Sequence, residues 1–222
     1  MFQIEPMPPQ IAPELVDLLQ QVETATIGHV LHSGFMHPRL RAVLPEARVA
    51  GTAVTLRLPH ADSTLVHHAM ALVRPGDFVI IDRCGDERHA CWGGIVTAAA
   101  KLAGVVGAVI DGMATDFSEI RRSGLPMWCL GPSPITTKPL GVEGAMNIPV
   151  SVGGVAVSPG DAILADESGV VVLQPATAEA IARTALRLQE EELVLLARLR
   201  AGEKLPDITG ATRSIAARNA AG

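Results

Sequence analysis

Trp92-Gly93-Gly94-Ile95-Val96, a helical Thr97 to Leu102, Gly104, the run Val105-Val106-Gly107-Ala108-Val109-Ile110, then Asp111-Gly112-Met113-Ala114-Thr115-Asp116-Phe117-Ser118-Glu119: this stretch decides the fold. A glycine pair opens an alanine-rich helix, an apolar run too short for a helix follows as a buried strand, and acids gather just past its end. Turns at strand ends are where α/β folds place their sites. Glycines let backbone N–H groups come close to an anion at a helix N-terminus, where the peptide dipoles also favour negative charge. Hard carboxylate ligands such as Asp116 and Glu119 suit Mg²⁺ or Mn²⁺. The segment therefore predicts an anion cradle at Gly93, Gly94, Ile95 and Val96 beside a carboxylate metal seat, which together could hold a small oxo acid. A second reading stays open: Gly93-Gly94 as a tight loop, and Asp116-x-x-Glu119 as the N-cap and N3 acid of a helix closed by Arg121, Arg122 and Gly124.

Working outward, the 222 residues are 48% hydrophobic and 18% charged, ordinary globular material able to bury a full core. Aromatics are 3% with no Tyr, so that core must be packed from Ala, Val, Leu and Ile, and base stacking on aromatic platforms is disfavoured. A formal charge of −5 with scattered Lys and Arg lacks the basic footprint of a nucleic-acid binder. Cys84, Cys91 and Cys129 form no CxxC; Cys84, His89 and Cys91 make at best a partial zinc set, and small buried thiols in a reducing compartment are the expectation. The N-terminus has no basic region followed by an apolar one, and no apolar run approaches the ~20 residues of a membrane span. A cytoplasmic protein with no membrane and no nucleic-acid partner is expected.

The flanking chain predicts two short helices within residues 13–31, a β-rich run from Ala47 to Leu58, and a helix from Thr64 to Val73. Pro75-Gly76-Asp77-Phe78-Val79-Ile80-Ile81-Asp82 then finds a twin in Pro159-Gly160-Asp161-Ala162-Ile163-Leu164-Ala165-Asp166. Each should be a type II turn feeding a buried strand, and together they suggest two related β layers. Pro126 to Leu130 reads as a strand, Gly131 to Pro149 as loops, and Val152 to Leu173 as strands and turns. A long helix runs from Pro175 to near Gly202, with Glu190-Glu191-Glu192 on a solvated face. No linker divides the chain, so residues 1–222 read as a single α/β domain, with a C-terminal tail, 203–222, that packs weakly or against a neighbouring subunit.

Pro75-Gly76-Asp77, Trp92-Gly93-Gly94, Gly107 to Asp116, Gly153-Gly154-Val155-Ala156-Val157-Ser158-Pro159-Gly160-Asp161 and Ala165-Asp166-Glu167-Ser168-Gly169-Val170-Val171-Val172, in this order between Ala25 and Gly202, resemble the RraA-like family. That family includes the class II 4-hydroxy-4-methyl-2-oxoglutarate/4-carboxy-4-hydroxy-2-oxoadipate aldolases and the regulator of ribonuclease E activity A. The resemblance implies an α-β-β-α sandwich of the swivelling β/β/α type, assembled as a homotrimer or hexamer. It also implies an Mg²⁺- or Mn²⁺-dependent lyase that cleaves a 4-hydroxy-2-oxo acid or decarboxylates oxaloacetate through a pyruvate enolate. Asp116 matches the family's direct metal ligand, Glu119 an acid acting through water, and the amides near Gly94, Ile95 and Val96 the substrate carboxylate cradle. Glu191 best matches an acid that reaches a neighbouring subunit's metal waters.

Two departures stand out. Where active members carry an Arg-Asp pair this chain has Thr115-Asp116, and where many carry an acid twenty-one residues before that Arg it has Gly94. Thr115, placed to touch the substrate, cannot replace a bidentate guanidinium. Arg83, Arg88 and His89, with Lys138 and Arg121 behind them, are the nearest substitutes. The alternatives to the lyase are a non-catalytic regulator or scaffold that binds a protein partner, and a related metal enzyme with a different substrate.

Overall fold

The computed structural model describes residues 1–220. Along the chain run β1 (Phe2–Ile4), α1 (Pro13–Leu19), α2 (Thr24–Ile27), β2 (Arg41–Ala42), β3 (Val49–Arg57), α3 (Thr64–Ala69), β4 (Asp77–Asp82), α4 (Gly94–Leu102), β5 (Gly107–Ala114), α5 (Phe117–Ser123) and β6 (Met127–Pro132). There follow β7 (Gly144–Met146), β8 (Val150–Val152), β9 (Val155–Val157), β10 (Ala162–Asp166), β11 (Gly169–Leu173), α6 (Pro175–Arg200), α7 (Leu205–Thr209) and α8 (Ala211–Ala220).

Strand β3 is the hinge of the architecture. Its C-terminal half pairs in parallel with β4, its N-terminal half antiparallel with β10, and its last residues with β7. From β4 the sheet continues in parallel through β5 to β6; from β10 it turns back into β11. Side chains alternate across each strand, so neighbouring residues serve different cores. On β4, Val79 and Ile81 face α3, α4 and α5, while Phe78 and Ile80 face inward. On β10, Ile163 and Ala165 face inward, while Ala162 and Leu164 face α1, α2 and α6. Three apolar layers result, helix on sheet, sheet on sheet and sheet on helix, which is the expected α-β-β-α sandwich in one domain. β3 contributes to all three through Val54 and Leu56, Val49 and Ala53, and Ala50. Each fully buried Ile, Leu or Val contributes about 1.5–3 kcal/mol relative to exposure. Scarce aromatics are spent inside: Phe78 and Trp128 meet in the middle layer at 6.0 Å between ring centroids.

The twin turns behave alike, with Gly76 at φ 89° and Gly160 at φ 91°, and they deliver β4 and β10 to opposite edges of β3 in different layers. Ala178, Ala182 and Ala185 bury the first turns of α6 in the outer layer, where the helix packs on α1 and α2. Beyond Gln189 this helix is largely exposed.

Several expectations are corrected. Phe2–Ile4 is a strand paired in parallel with β7, and β7 lies within the stretch read as loop; periodicity cannot register strands this short. The tail carries α7 and α8, neither with a buried residue. Cys84 is exposed, whereas Cys91 and Cys129 are buried free thiols. No described helix is long and apolar enough to cross a membrane.

Candidate active site

The central segment folds as a strand-end turn between two helices. Its helix begins earlier than periodicity suggested, at Gly94 rather than Thr97, and the strand after it runs on through the acid-containing turn to Ala114. The first bond of α4 is Thr97 N–H to Gly93 O, and the Thr97 hydroxyl donates to the same carbonyl while accepting from Trp92 Nε1. A helix leaves its first N–H groups without intrahelical acceptors. Those of Ile95 and Val96 therefore remain for whatever enters the cleft that both residues line.

Asp116 takes an unexpected part. It sits before α5 in the left-handed region at φ 53°, ψ 42°, and its side chain makes no cap bond to α5. Its Oδ2 instead accepts Gly94 N–H at 2.9 Å, so the carboxylate caps the neighbouring helix α4, across the turn from its own. The Glu119 side chain makes no capping bond either, because it pairs with Arg122. The positions of that reading hold, with Asp116 at the N-cap of α5, Glu119 in its first turn, and Gly124 ending it in the left-handed conformation at φ 71°.

The two glycines make this approach possible by lacking a side chain. A Cβ on Gly93 would stand 2.7 Å from Asp116 Oδ2 and 2.8 Å from Thr115 Cγ2; one on Gly94 would meet Glu119 Cβ and Cγ at 3.2 Å. The space an acid at position 94 would occupy is thus bordered by the stem of Glu119. Thr115 Oγ1 lies 3.5 Å from Asp116 Oδ1.

Around this turn lies a cleft of about 180 Å³. One wall is Gly93 to Val96 with Thr115 and Asp116, the floor Ala90 to Trp92, and the other wall Ser63 and His67 with Thr136, Thr137 and Pro139. The far wall is fixed by main-chain bonds: Thr137 N–H to Ala90 O, Ala90 N–H to Ile135 O, and Ser63 N–H to Lys138 O. Buried Asp62 locks the same corner by accepting from Thr64, Leu140 and Val142 N–H groups and the Thr64 hydroxyl. Burial pushes the Asp62 carboxyl up, but these bonds overcome it and hold it far below the usual carboxylate range. Sequence reasoning missed Ser63, His67 and Thr136, which have no motif and join the site only through tertiary pairing.

None of the substitute cations lines the cleft. Arg83 is wholly buried and donates to the Leu58 and His60 carbonyls and to Asp86. His89 Nδ1 also bonds Asp86, which additionally accepts the N–H groups of Arg88 and His89. Burial raises the Asp86 carboxyl, and these bonds together with the Arg83 charge reverse that and hold it low. The Arg88 and Lys138 side chains are exposed, and Arg121 lies over the Phe117 ring with Nε on Val43 O. Among the described residues, His67 is the one cleft-lining side chain able to carry positive charge. Cys91 in the floor is kept neutral, its thiol pushed up to about 11 by burial, which removes a thiolate nucleophile from consideration. Glu191 lies exposed on α6, which packs on α1 and α2, and takes no part in this cleft within the chain.

Could the residues present hold a divalent ion? No three His, Cys, Asp or Glu side chains cluster among the described residues. Asp116 nevertheless presents an exposed carboxylate oxygen, Oδ1, beyond the one held by Gly94, and the surroundings supply oxygen donors. One or two carboxylates plus water fit Mg²⁺ or Mn²⁺, which keep much of their hydration.

Residues 14–172 match the family described as Aldolase/RraA, the RraA-like family. A protein of Halalkalibacterium halodurans named "Putative 4-hydroxy-4-methyl-2-oxoglutarate aldolase" is 34% identical over 145 residues, 65% of this chain and 69% of its own length. The crystal structure of an uncharacterized protein from Pseudomonas syringae pv. tomato shares the fold at TM-score 0.79 and 23% identity, covering 93% of this chain and 98% of the other. Streptomyces coelicolor RraAS2, described as an unusual member of the RNase ES inhibitor RraA protein family, superposes at TM-score 0.73 with 28% identity over 86% of this chain and 99% of its own. With the match spanning α1 to β11 and the glycine–aspartate turn at its centre, the chain belongs to the RraA-like family.

Proposed function

We propose that the cleft at the N-terminus of α4 is the active site of a divalent-metal-dependent lyase. Its substrate is a small oxo acid, cleaved by retro-aldol reaction of a 4-hydroxy-2-oxo acid or by decarboxylation of oxaloacetate, and either route leaves pyruvate enolate. The observation that carries the reading is the position of Asp116. An acid held in the left-handed region, turned away from its own helix and aimed beside the free N–H groups of another, is a local cost that capping of α5 does not explain. The cleft's size suits a ligand smaller than the drug-sized molecules of ordinary pockets. The name carried by the Halalkalibacterium halodurans relative supports the aldolase class.

In this reading the N–H groups of Ile95 and Val96, with the glycine backbone before them, receive the substrate carboxylate. Asp116 would hold Mg²⁺ or Mn²⁺, with Glu119 and, from a neighbouring subunit of a homotrimer or hexamer, Glu191 acting on the ion through water. When bound, the ion supplies Lewis-acid stabilisation of the developing oxyanion. Thr115 offers the substrate a hydroxyl donor but no charge. That lack of a guanidinium favours a second reading, a binding protein without turnover, in line with the inhibitor family to which RraAS2 is ascribed.

Oxaloacetate decarboxylation with Mg²⁺, followed by coupled pyruvate detection, separates the two. The parent should turn over slowly, and Thr115→Arg should raise the rate by ~10²–10³, the worth of one preorganised donor at a developing oxyanion. No turnover in either protein, with Mn²⁺ bound to both, would replace the lyase by the binding role.

A further inference from the structure

A relay of hydrogen bonds joins the buried core to Asp116. The Trp92 indole Nε1–H donates to the Thr97 hydroxyl at 2.8 Å, that hydroxyl donates to the Gly93 carbonyl at 2.9 Å, and the Gly94 N–H donates to Asp116 Oδ2 at 2.9 Å. Gly93 C=O and Gly94 N–H are the two ends of one planar peptide unit, so the three bonds run head to tail, every donor facing the same way. Bonds in such a series polarise one another: drawing electrons toward the carbonyl makes the N–H of the same unit a stronger donor. Trp92 and Thr97 are each 1% exposed, which keeps competing water from the first link. Trp92 also holds the far side of the turn, because its carbonyl accepts Thr115 N–H at 2.9 Å. The relay closes only because position 93 has no side chain; a Cβ there would stand 2.7 Å from Asp116 Oδ2.

We infer that Trp92 and Thr97 are positioning residues for Asp116, acting through the Gly93–Gly94 peptide unit. This role rests on the reading of Asp116 as the working acid of the cleft, and it adds two buried residues that orient the carboxylate from behind. Asp116 keeps its left-handed backbone with no bond to its own helix, so the Gly94 N–H is the donor that fixes the direction of its side chain. If the Thr97 hydroxyl served only to satisfy the Trp92 indole, its removal would be indifferent to what stands at position 116. The shared peptide unit makes the two positions interdependent although no hydrogen bond joins them directly.

A double-mutant cycle on the metal-free protein tests this by thermal melts. Thr97→Val keeps the volume and removes the hydroxyl. The fall in Tm it causes should be smaller in Asp116→Ala protein than in the parent, because the last acceptor of the relay is already gone; the unpaired Trp92 Nε1 is common to both backgrounds and cancels. Mn²⁺ calorimetry gives the second readout. Thr97→Val should bind Mn²⁺ ~10-fold more weakly than the parent, as expected when a ligand loses an outer partner, and Thr97→Ser, which restores the hydroxyl, should regain the affinity. If Thr97→Val does not fold, Trp92→Phe, which removes the first donor, runs the same cycle. Tm shifts that simply add in the double variant would overturn the relay, and so would Thr97→Val that binds Mn²⁺ as tightly as the parent. A parent that takes up no Mn²⁺ would instead overturn the metal-dependent reading, and the melts alone would then decide the relay.

Discussion

Replacing Asp116 separates its two tasks, because the structure assigns each a different part of the side chain. Asp116→Ala removes the acceptor for Gly94 N–H, a lost cap of about 1 kcal/mol, and leaves a plain Cβ at φ 53°, worth about another 1 kcal/mol. A sum of about 2 kcal/mol in a chain of this size lowers Tm by roughly 4–8 °C. Asp116→Asn keeps an amide oxygen in the same place, tolerates the left-handed region, and forfeits only the charge at the helix terminus, about 0.5 kcal/mol or roughly 1–2 °C. Metal binding should divide differently, since a neutral amide is a much poorer partner for a hard dication: both variants should lose the Mn²⁺ heat that the parent gives. Thermal melts followed by circular dichroism, with Mn²⁺ calorimetry on the same preparations, measure both quantities. Asp116→Asn that is folded and binds Mn²⁺ like the parent would refute the metal seat. Asp116→Ala that melts with the parent would refute the cross-helix cap.

Arg83→Ala should act on stability before activity, costing about 3–5 kcal/mol in chemical denaturation because a buried charge network loses its centre; a stable variant that loses only turnover would instead make Arg83 a catalytic cation. Asp62 and Asp86 have folded-state values below their ordinary ones, so their stabilisation is full above about pH 4 and is lost as pH falls through the folded values. Urea melts should therefore show stability falling below that point, with a shallower fall in Asp62→Asn; identical acid limbs would refute the assignment. Light scattering should report a homotrimer or hexamer, which would also cover the exposed Leu193, Val194 and Leu196 of α6. A monomer at micromolar concentration would remove Glu191 from the site.

The elements legible in the sequence were those with repetition behind them. The buried runs of β4, β5 and β10 and the paired Pro-Gly turns announce an α/β chain, because a strand buried on both faces must be apolar throughout. The long α6 follows likewise from sustained helical periodicity. Strands of three residues such as β1 and β7 carry no period and exist through tertiary pairing, β1 on β7 and β7 on the end of β3. Within the site, the glycine pair and Asp116 drew notice as residue types suited to anions and hard cations.

Sequence by itself determined the class of fold and the two poles of the candidate site, since both follow from chemistry local to a few consecutive residues. Tertiary structure decided what those residues do. It turned Asp116 from its own helix to the neighbouring one, because Gly93 and Gly94 leave no Cβ in the way. It withdrew Arg83 into the core, where three oxygen acceptors converge on the guanidinium. It brought Ser63, His67 and Thr136 to the opposite wall from segments far apart in the chain. Spacing along a chain cannot encode such placements, which depend on the packing of β3, α3 and the Ala90–Thr136 bridge all at once.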